Sequence, residues 1–265
     1  MRTILLALLL AIGGCRSAQP PATPHTAPPS PDAATTRVMS TEAVAQPQPI
    51  TTSRGRVISI IDSGDLDTYD APSGVRARAV PSDLFEGSDR RAAKLSIVSA
   101  PEKVFGSVQE LITSLLDDDD MRGRQPPISR ARTSRRVVEE RRNVAVTALL
   151  CAASREDDND YHLIVCDDPR APAEDRHCLN VEVTGLPPSG SHRTRLKAAR
   201  DEFVALVQGH TPGRSYAFYD PPLPVQVAGS LFYDIRHPPG VVMPQKLRPA
   251  TAWEIHPVTG IVERE

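Results

Sequence analysis

The chain has 265 residues and a formal net charge of −2 at pH 7, with 33 acidic against 31 basic residues. It therefore lacks the overall positive charge by which many proteins attract polyanions non-specifically. The length allows one large domain or two small ones, and the longest apolar run is shorter than the roughly 20 residues that a membrane-spanning helix needs.

The amino terminus, residues 1–15, has the pattern of an export signal. Met1-Arg2 is a positive start, Thr3–Ile12 is an apolar run, and small residues precede Cys15. The segment Ile12-Gly13-Gly14-Cys15 resembles the lipobox of bacterial lipoproteins. The resemblance implies that Cys15 becomes the first residue of the mature chain and carries acyl groups on its sulfur and its amine. The alternative is an ordinary cleaved signal with an incidental cysteine.

Lipidation of Cys15 predicts an exported protein that is held on a membrane of the cell envelope. Two or more acyl chains anchor a protein stably without a spanning helix. Residues 16–50 are rich in Pro, Ala and Thr, and they predict a disordered, extended linker between the anchor and the folded part. Arg16, the second residue of the predicted mature chain, favours the periplasmic face of the outer membrane by analogy with the lipoprotein family.

Residues 51–142 predict an α+β segment. Arg56–Asp62 and Val75–Val80 are short, β-branched or alternating runs on either side of a turn rich in Gly, Asp and Pro, so they predict a hairpin. Residues 101–116 have apolar residues at helical spacing and predict a helix.

Two charged runs follow that helix. Asp117–Asp120 stand at its carboxyl-terminal end, where the helix dipole disfavours negative charge, so we expect this end to fray into solvent. Residues 122–142 contain eight arginines together with Pro126 and Pro127, and they predict an exposed basic connector.

Residues 143–265 predict a small β-barrel. Three predicted strands are followed by a helix and then by two more strands, which is the element order of the OB-fold. The fold class is therefore mainly β with helices, with a five-stranded OB-like barrel and a helix between its third and fourth strands. The predicted elements are strands at Val144–Ala152, Tyr161–Cys166 and Cys178–Thr184, a helix at His192–Gln208, and strands at Val225–Ile235 and Thr251–Val258.

Three cysteines remain besides Cys15. Cys166 ends one predicted strand and Cys178 begins the next, so a hairpin would place them opposite each other and allow a disulfide in an oxidising compartment. Cys151 is then left over. The alternative is three buried thiols, because cysteine is commonly buried as a small apolar residue.

The carboxyl-terminal half resembles uncharacterised bacterial exported proteins that share such a barrel and end in the same strand. The matching segments are Asp160–Leu163, Val227–Asp234 with His237, and above all Trp253–Thr259, which reads WEIHPVT. The resemblance covers about residues 144–262. It implies the fold and no defined activity.

The candidate polar site consists of His162, Asp234, His237, Glu254 and His256. Strand alternation places Glu254 and His256 on one face, and an adjacent fourth strand would bring Asp234 or His237 near them. A histidine oriented by a carboxylate can act as a general base or a metal ligand. The favoured interpretation is structural, with Glu254 and His256 hydrogen-bonded at one end of the barrel, and with His162 as a satisfied strand residue. No metal, cofactor or catalytic set is predicted.

The predicted function is a lipid-anchored envelope protein whose barrel binds a partner or serves a structural role, rather than an enzyme. The expected partners are the membrane, through Cys15, and an envelope protein or an anionic surface polymer, which Arg130–Arg142 could meet. One alternative is a metal-dependent hydrolase or nuclease of the envelope. Another is a nucleic-acid-binding OB module. The barrel interior needs the few aromatic residues that base stacking would require, which argues against nucleic acid.

Overall fold

A computed structural model of the chain describes residues 48–62, 83–236, 240 and 246–265. These residues form a mainly β structure with eight strands. The strands are β1 (Gln48–Thr51), β2 (Val57–Asp62), β3 (Glu102–Phe105), β4 (Asn143–Arg155), β5 (Tyr161–Cys166), β6 (Cys178–Val183), β7 (Ala217–Tyr233) and β8 (Pro249–Glu263). The helices are α1 (Arg91–Lys94), α2 (Val108–Thr113), α3 (Asp118–Gly123) and α4 (Arg193–Leu206), with short 3-10 turns at Val138–Glu140 and Ala173–Asp175.

Five of these strands close into a barrel. Their order is β4-β5-β6-β8-β7, and β7 pairs back onto β4. The β6–β8 pair is parallel and the other four pairs are antiparallel. With α4 between β6 and β7, this order confirms the predicted OB-like barrel, its five strands and the position of its helix.

The barrel interior is apolar because strand alternation turns every second side chain inward. Leu163 of β5, Val181 of β6 and Ile255 of β8 belong to this core and are fully buried. Helix α4 packs on the same core, where the ring centroid of Phe203 lies 5.0 Å from that of Tyr161. Burying such a side chain contributes about 1.5–3 kcal/mol.

The segment before the barrel is not a separate domain, because its strands extend the barrel sheet. β2 pairs with β7, β1 pairs with β2, and β3 pairs in parallel with β4. Since β1 begins at Gln48, the last three residues of the predicted linker 16–50 belong to the sheet. Val75–Val80, the predicted partner of β2, lies outside the described residues, as does the export signal.

The predicted helix over residues 101–116 is shorter than expected. Its first part, Glu102–Phe105, is strand β3, which docks beside the first residues of β4. The helix α2 begins after Ser107, whose hydroxyl accepts a hydrogen bond from the backbone N–H of Glu110 as an N-cap. Docking on the sheet edge therefore overrides the helical spacing of the first four residues.

The acidic run after that helix does not fray, so this expectation was wrong. Asp118 begins a new helix, α3, and the acidic residues occupy its first turn, where the helix dipole favours negative charge. The Asp118 carboxylate also accepts hydrogen bonds from Thr251 Oγ1, at 2.6 Å, and from the backbone N–H of Ala252. The run thus ties α3 to the start of β8.

The predicted connector 122–142 is only partly exposed, and two of its arginines are structural. Arg136 is buried, and its guanidinium donates to backbone carbonyls of Leu231 in β7 and His256 in β8. Arg142 donates to Ser114 at the end of α2. The connector is therefore a strap across the barrel wall and not a solvated loop throughout.

The strap is held by a buried ion pair between Arg90 and Glu140. Arg90 forms two hydrogen bonds of 2.6 and 2.7 Å to the Glu140 carboxylate, and both side chains are at most 2% exposed. Glu140 also accepts the backbone N–H of Tyr233 in β7. One carboxylate therefore joins the strap, the residue before α1 and the barrel.

The hairpin of β5 and β6 carries a disulfide. Cys166 and Cys178 face each other in the antiparallel register and are bonded. Cys151 is a free, buried thiol on the neighbouring strand β4, and burial raises its pKa to about 12. The Cys166–Cys178 bond is the pairing expected from the two predicted strands.

Replacing Glu140 with Gln should lower the free energy of unfolding by about 3–5 kcal/mol, because it leaves the Arg90 guanidinium buried without a counter-charge. Chemical denaturation followed by the fluorescence of Trp253, the single tryptophan, measures the loss. The control is Arg130→Gln, which removes an exposed pair with Asp89 and should cost less than about 1 kcal/mol. Equal, small losses in the two variants would contradict the structural role of Glu140.

Candidate functional site

Ionisable side chains are buried on the face of β5, β6 and β8 that points away from the barrel core. Strand alternation places them there, since their neighbours in sequence point into the core. The helix α1 and the strap cover this face, and α1 contributes a lysine. We call these residues the polar cluster: Lys94, Asp160, His162, Glu182, Glu254 and His256.

Glu182 is the centre of the polar cluster. Its Oε2 lies 2.6 Å from His256 Nδ1 and 3.7 Å from Lys94 Nζ. Its Oε1 lies 3.4 Å from His162 Nδ1. The two oxygens of one carboxylate therefore face the two histidines separately.

Asp160 and Glu254 complete the surroundings of His256. Asp160 Oδ2 lies 3.5 Å from His256 Nε2, while its Oδ1 accepts hydrogen bonds from the Gly185 N–H and the Thr184 hydroxyl. Glu254 Oε2 lies 3.8 Å from His256 Nδ1. The imidazole is thus surrounded by three carboxyl groups and is itself fully buried.

The carboxyl groups around His256 differ in pKa: two are raised by burial and by the charges of their neighbours, and one is lowered. Burial, together with the charge of Glu182, raises the pKa of Glu254 to about 7. Burial likewise raises the pKa of Asp160 well above its usual range, with Asp158 and Glu182 adding to the effect. Burial also acts to raise the pKa of Glu182, but Lys94 and His256 outweigh it and hold that pKa well below the usual range. Glu182 is therefore the permanent anion of the cluster.

The structure brings together three of the five predicted site residues, His162, Glu254 and His256. Asp234 accepts a hydrogen bond from the backbone N–H of Arg236, and its charge adds to the rise in the Glu254 pKa. His237 lies outside the described residues. The hydrogen bonding of Glu254 and His256 at a barrel end stays a prediction, and the structure adds that α1 and the strap cover this group.

Sequence reasoning missed Lys94, Asp160 and Glu182 as site residues. Glu182 had a detectable signal, since it is a carboxylate flanked by Val181 and Val183 in a strand. Lys94 had none, because it reaches the barrel from a short helix far away in sequence. Its pKa stands well above the usual range: burial acts to lower it, and the surrounding carboxylates outweigh burial.

The polar cluster is closed to solvent around His256. The side chains of His256 and Glu182 are 0% and 3% exposed, so the described part of the chain shields both from solvent. Near His162 the cluster approaches the surface. Glu156, which borders the cluster there, has a side chain that is 35% exposed and lies 3.1 Å from His162 Nδ1. Among the described residues, two sets of three bring ligand atoms close enough for a cation. These sets are Asp160 with Glu182 and His256, and Glu156 with His162 and Glu182.

No protein-family model, curated protein or solved structure matches this chain. The description as OB-like therefore depends on strand order and the position of α4 alone. Within the part of the chain that the structure describes, no helix has the length and apolar character to cross a bilayer.

Replacing Glu254 with Gln should make the protein progressively more stable than the wild type as the pH rises from 5 to 8. Because the folded state raises the pKa of Glu254 from 4.5 to about 7, the stability from its bound proton is present below pH 4.5 and is lost as the pH rises through 7. Gln keeps a neutral group throughout. We expect a relative gain on the order of 2 kcal/mol, measured by denaturation at each pH.

The groups that face Glu254 are Glu182 on β6, His256 on β8, Lys94 on α1 and Asp234 after β7. All of them are unchanged in the variant, so its difference from the wild type isolates Glu254. The exposed Glu174→Gln is the matched control and should differ from the wild type equally at every pH. The same flat difference for Glu254→Gln would mean that Glu254 is charged over the whole range.

Proposed function

We propose that this protein is a lipid-anchored protein of the cell envelope whose barrel has a binding or structural role. The observation that carries the proposal is the sequence Ile12-Gly13-Gly14-Cys15 after an apolar run, which resembles a lipoprotein lipobox. Acyl groups on Cys15 would hold the chain on the membrane, since each buried methylene contributes about 0.8 kcal/mol. The lipidated cysteine is then followed by a Pro-rich spacer and by the barrel.

The closed polar cluster supports a binding or structural role over hydrolysis. A hydrolase needs a general base or a metal-bound water within reach of its substrate. His256 is fully buried and His162 is 7% exposed. In the structure as described, neither histidine meets a substrate-sized opening.

The aromatic residues favour the same conclusion over nucleic-acid binding. Single-strand binders stack bases on exposed rings, each worth about 1–3 kcal/mol. Every aromatic side chain among the described residues is buried, including Phe203, Phe232 and Trp253. The exposed arginines of the strap, Arg130 and Arg132, instead offer positive charge to an anionic envelope polymer or to an acidic protein surface.

Arg16 favours the periplasmic face of the outer membrane as the location. This proposal uses the sorting tendency of the family that the lipobox resembles, in which Asp at the second mature position directs retention. The first measurement needed is whether Cys15 is acylated at all.

The variant Cys15→Ser should lose incorporation of radiolabelled palmitate and should leave the membrane fraction, because it removes the sulfur and the processing site. Cells that express the full chain are labelled, fractionated and probed for the protein. The matched control is Cys151→Ser, which alters a buried thiol of the barrel and should keep both the label and the membrane location. An unlabelled wild type, or a wild type that remains in the cytoplasm, would refute the proposal.

A further inference from the structure

We propose that Glu156, His162 and Glu182 bind one divalent transition-metal cation, with Zn²⁺ preferred, at the solvent-facing end of the polar cluster. This site goes beyond the proposed anchoring role and does not depend on it. No ligand set of this kind is evident in the sequence, because Glu156 lies in a turn, His162 in β5 and Glu182 in β6.

The three ligand atoms lie within 4.8 Å of one another, which is close enough for one ion to contact all of them. His162 Nδ1 lies 3.1 Å from Glu156 Oε1 and 3.4 Å from Glu182 Oε1. Zinc binds histidine nitrogen and carboxylate oxygen at about 2.0–2.2 Å, so two ligands of a tetrahedral ion lie roughly 3.4 Å apart. Two carboxylates also balance the charge of the ion when the imidazole is neutral.

His162 Nδ1 faces the Glu156 and Glu182 carboxylates, so the space between these three atoms suits a positive charge. Its side chain is 9% exposed, and the ring packs edge-on against Tyr216 with centroids 6.1 Å apart. Although two carboxylates converge on Nδ1, that atom has no hydrogen bond of acceptable geometry to any residue that the structure describes. Burial acts to lower the pKa of His162, but Tyr216 and the two carboxylates outweigh burial and raise that pKa well above its usual range. A proton or a metal ion can therefore occupy Nδ1, and the zinc titration distinguishes the two.

Glu182 has one carboxylate oxygen, Oε1, that can face the ion, because its other oxygen, Oε2, already faces two side chains. Oε2 faces His256 Nδ1 and Lys94 Nζ, and these groups fix the carboxylate and offset part of its charge. Metal-binding side chains are commonly oriented by such outer partners. The Lys94 ammonium is next to Oε2, so it does not compete for the position beside His162.

The other set, Asp160 with Glu182 and His256, fits an ion less well. Asp160 Oδ2 faces His256 Nε2, whereas Glu182 Oε2 faces His256 Nδ1 at 2.6 Å, which is too short for two ligands of one ion. All three side chains are at most 3% exposed, whereas Glu156 is 35% exposed and gives an ion a route from solvent. The set of Glu156, His162 and Glu182 is therefore the better cation site.

The test is a zinc titration of the full chain, purified in detergent without a metal-affinity step and stripped with a chelator. We expect one Zn²⁺ per chain by isothermal titration, and a zinc-dependent rise in the melting temperature. Imidazole with carboxylates favours Zn²⁺ over Ca²⁺ and Mg²⁺, so neither of these should compete at equal concentration.

Two variants and a control make the result specific. Glu156→Gln changes a partly exposed side chain and should fold normally while weakening zinc binding at least tenfold. His162→Gln should abolish binding, and the exposed His210→Gln should leave it unchanged. No stoichiometric zinc, or equal affinity in Glu156→Gln and the wild type, would overturn the site. In that case His162 is a protonated partner of the two carboxylates, and the lipid-anchor proposal is unaffected.

Discussion

The contact on which the structure depends is the burial of the Glu182 carboxylate between a barrel wall and the segment that covers it. A carboxylate in the interior loses the hydration that stabilises its charge, so it must gain opposite charge and hydrogen-bond donors nearby. His256 comes from the barrel, whereas Lys94 comes from α1 in the covering segment. Because neither part alone supplies both partners, barrel and cover are expected to fold as one cooperative unit. This explains why residues 83–142 are not an independent domain.

The covering segment also stabilises the barrel through buried arginines that hydrogen-bond to its strands. Arg90 and Arg136 donate to backbone carbonyls of β7 and β8, and Glu140 neutralises Arg90. The guanidinium groups of Arg90 and Arg136 also lie over the ring of Phe232, at 4.6 and 5.8 Å from its centroid. The ammonium group of Lys94 lies 5.7 Å from the same centroid. A cation over an aromatic face retains some of the electrostatic stabilisation it loses on leaving water. The arginine run of residues 122–142 therefore has two roles. Some of its arginines, such as Arg136, are buried and structural, and others, such as Arg130, are exposed and available to an anionic partner.

The proposed function and the proposed metal site address different parts of the molecule. Anchoring depends on chemistry at one sulfur near the amino terminus, far along the chain from the barrel. The cation site depends on three side chains of the β5–β6 region and on the outer contacts of Glu182. A bound ion at the Glu156 end would add charge to a cluster that is otherwise rich in carboxyl groups. It would thereby stabilise the face on which the strap packs.

The barrel could be predicted from the sequence, because the alternation of apolar residues in strands and the helical pattern before β7 are local and are maintained by the burial of apolar side chains. The sequence also favoured the pairing of Cys166 with Cys178, since a hairpin of their two strands would place them opposite each other. It failed for Glu102–Phe105, where pairing with β4 overrides helical spacing, and for Asp117–Asp120, whose meaning depends on where a new helix begins. The polar cluster could not be predicted in this way. Lys94 and Glu182 meet through contacts between distant segments, and no local pattern records the free energy of burying them together.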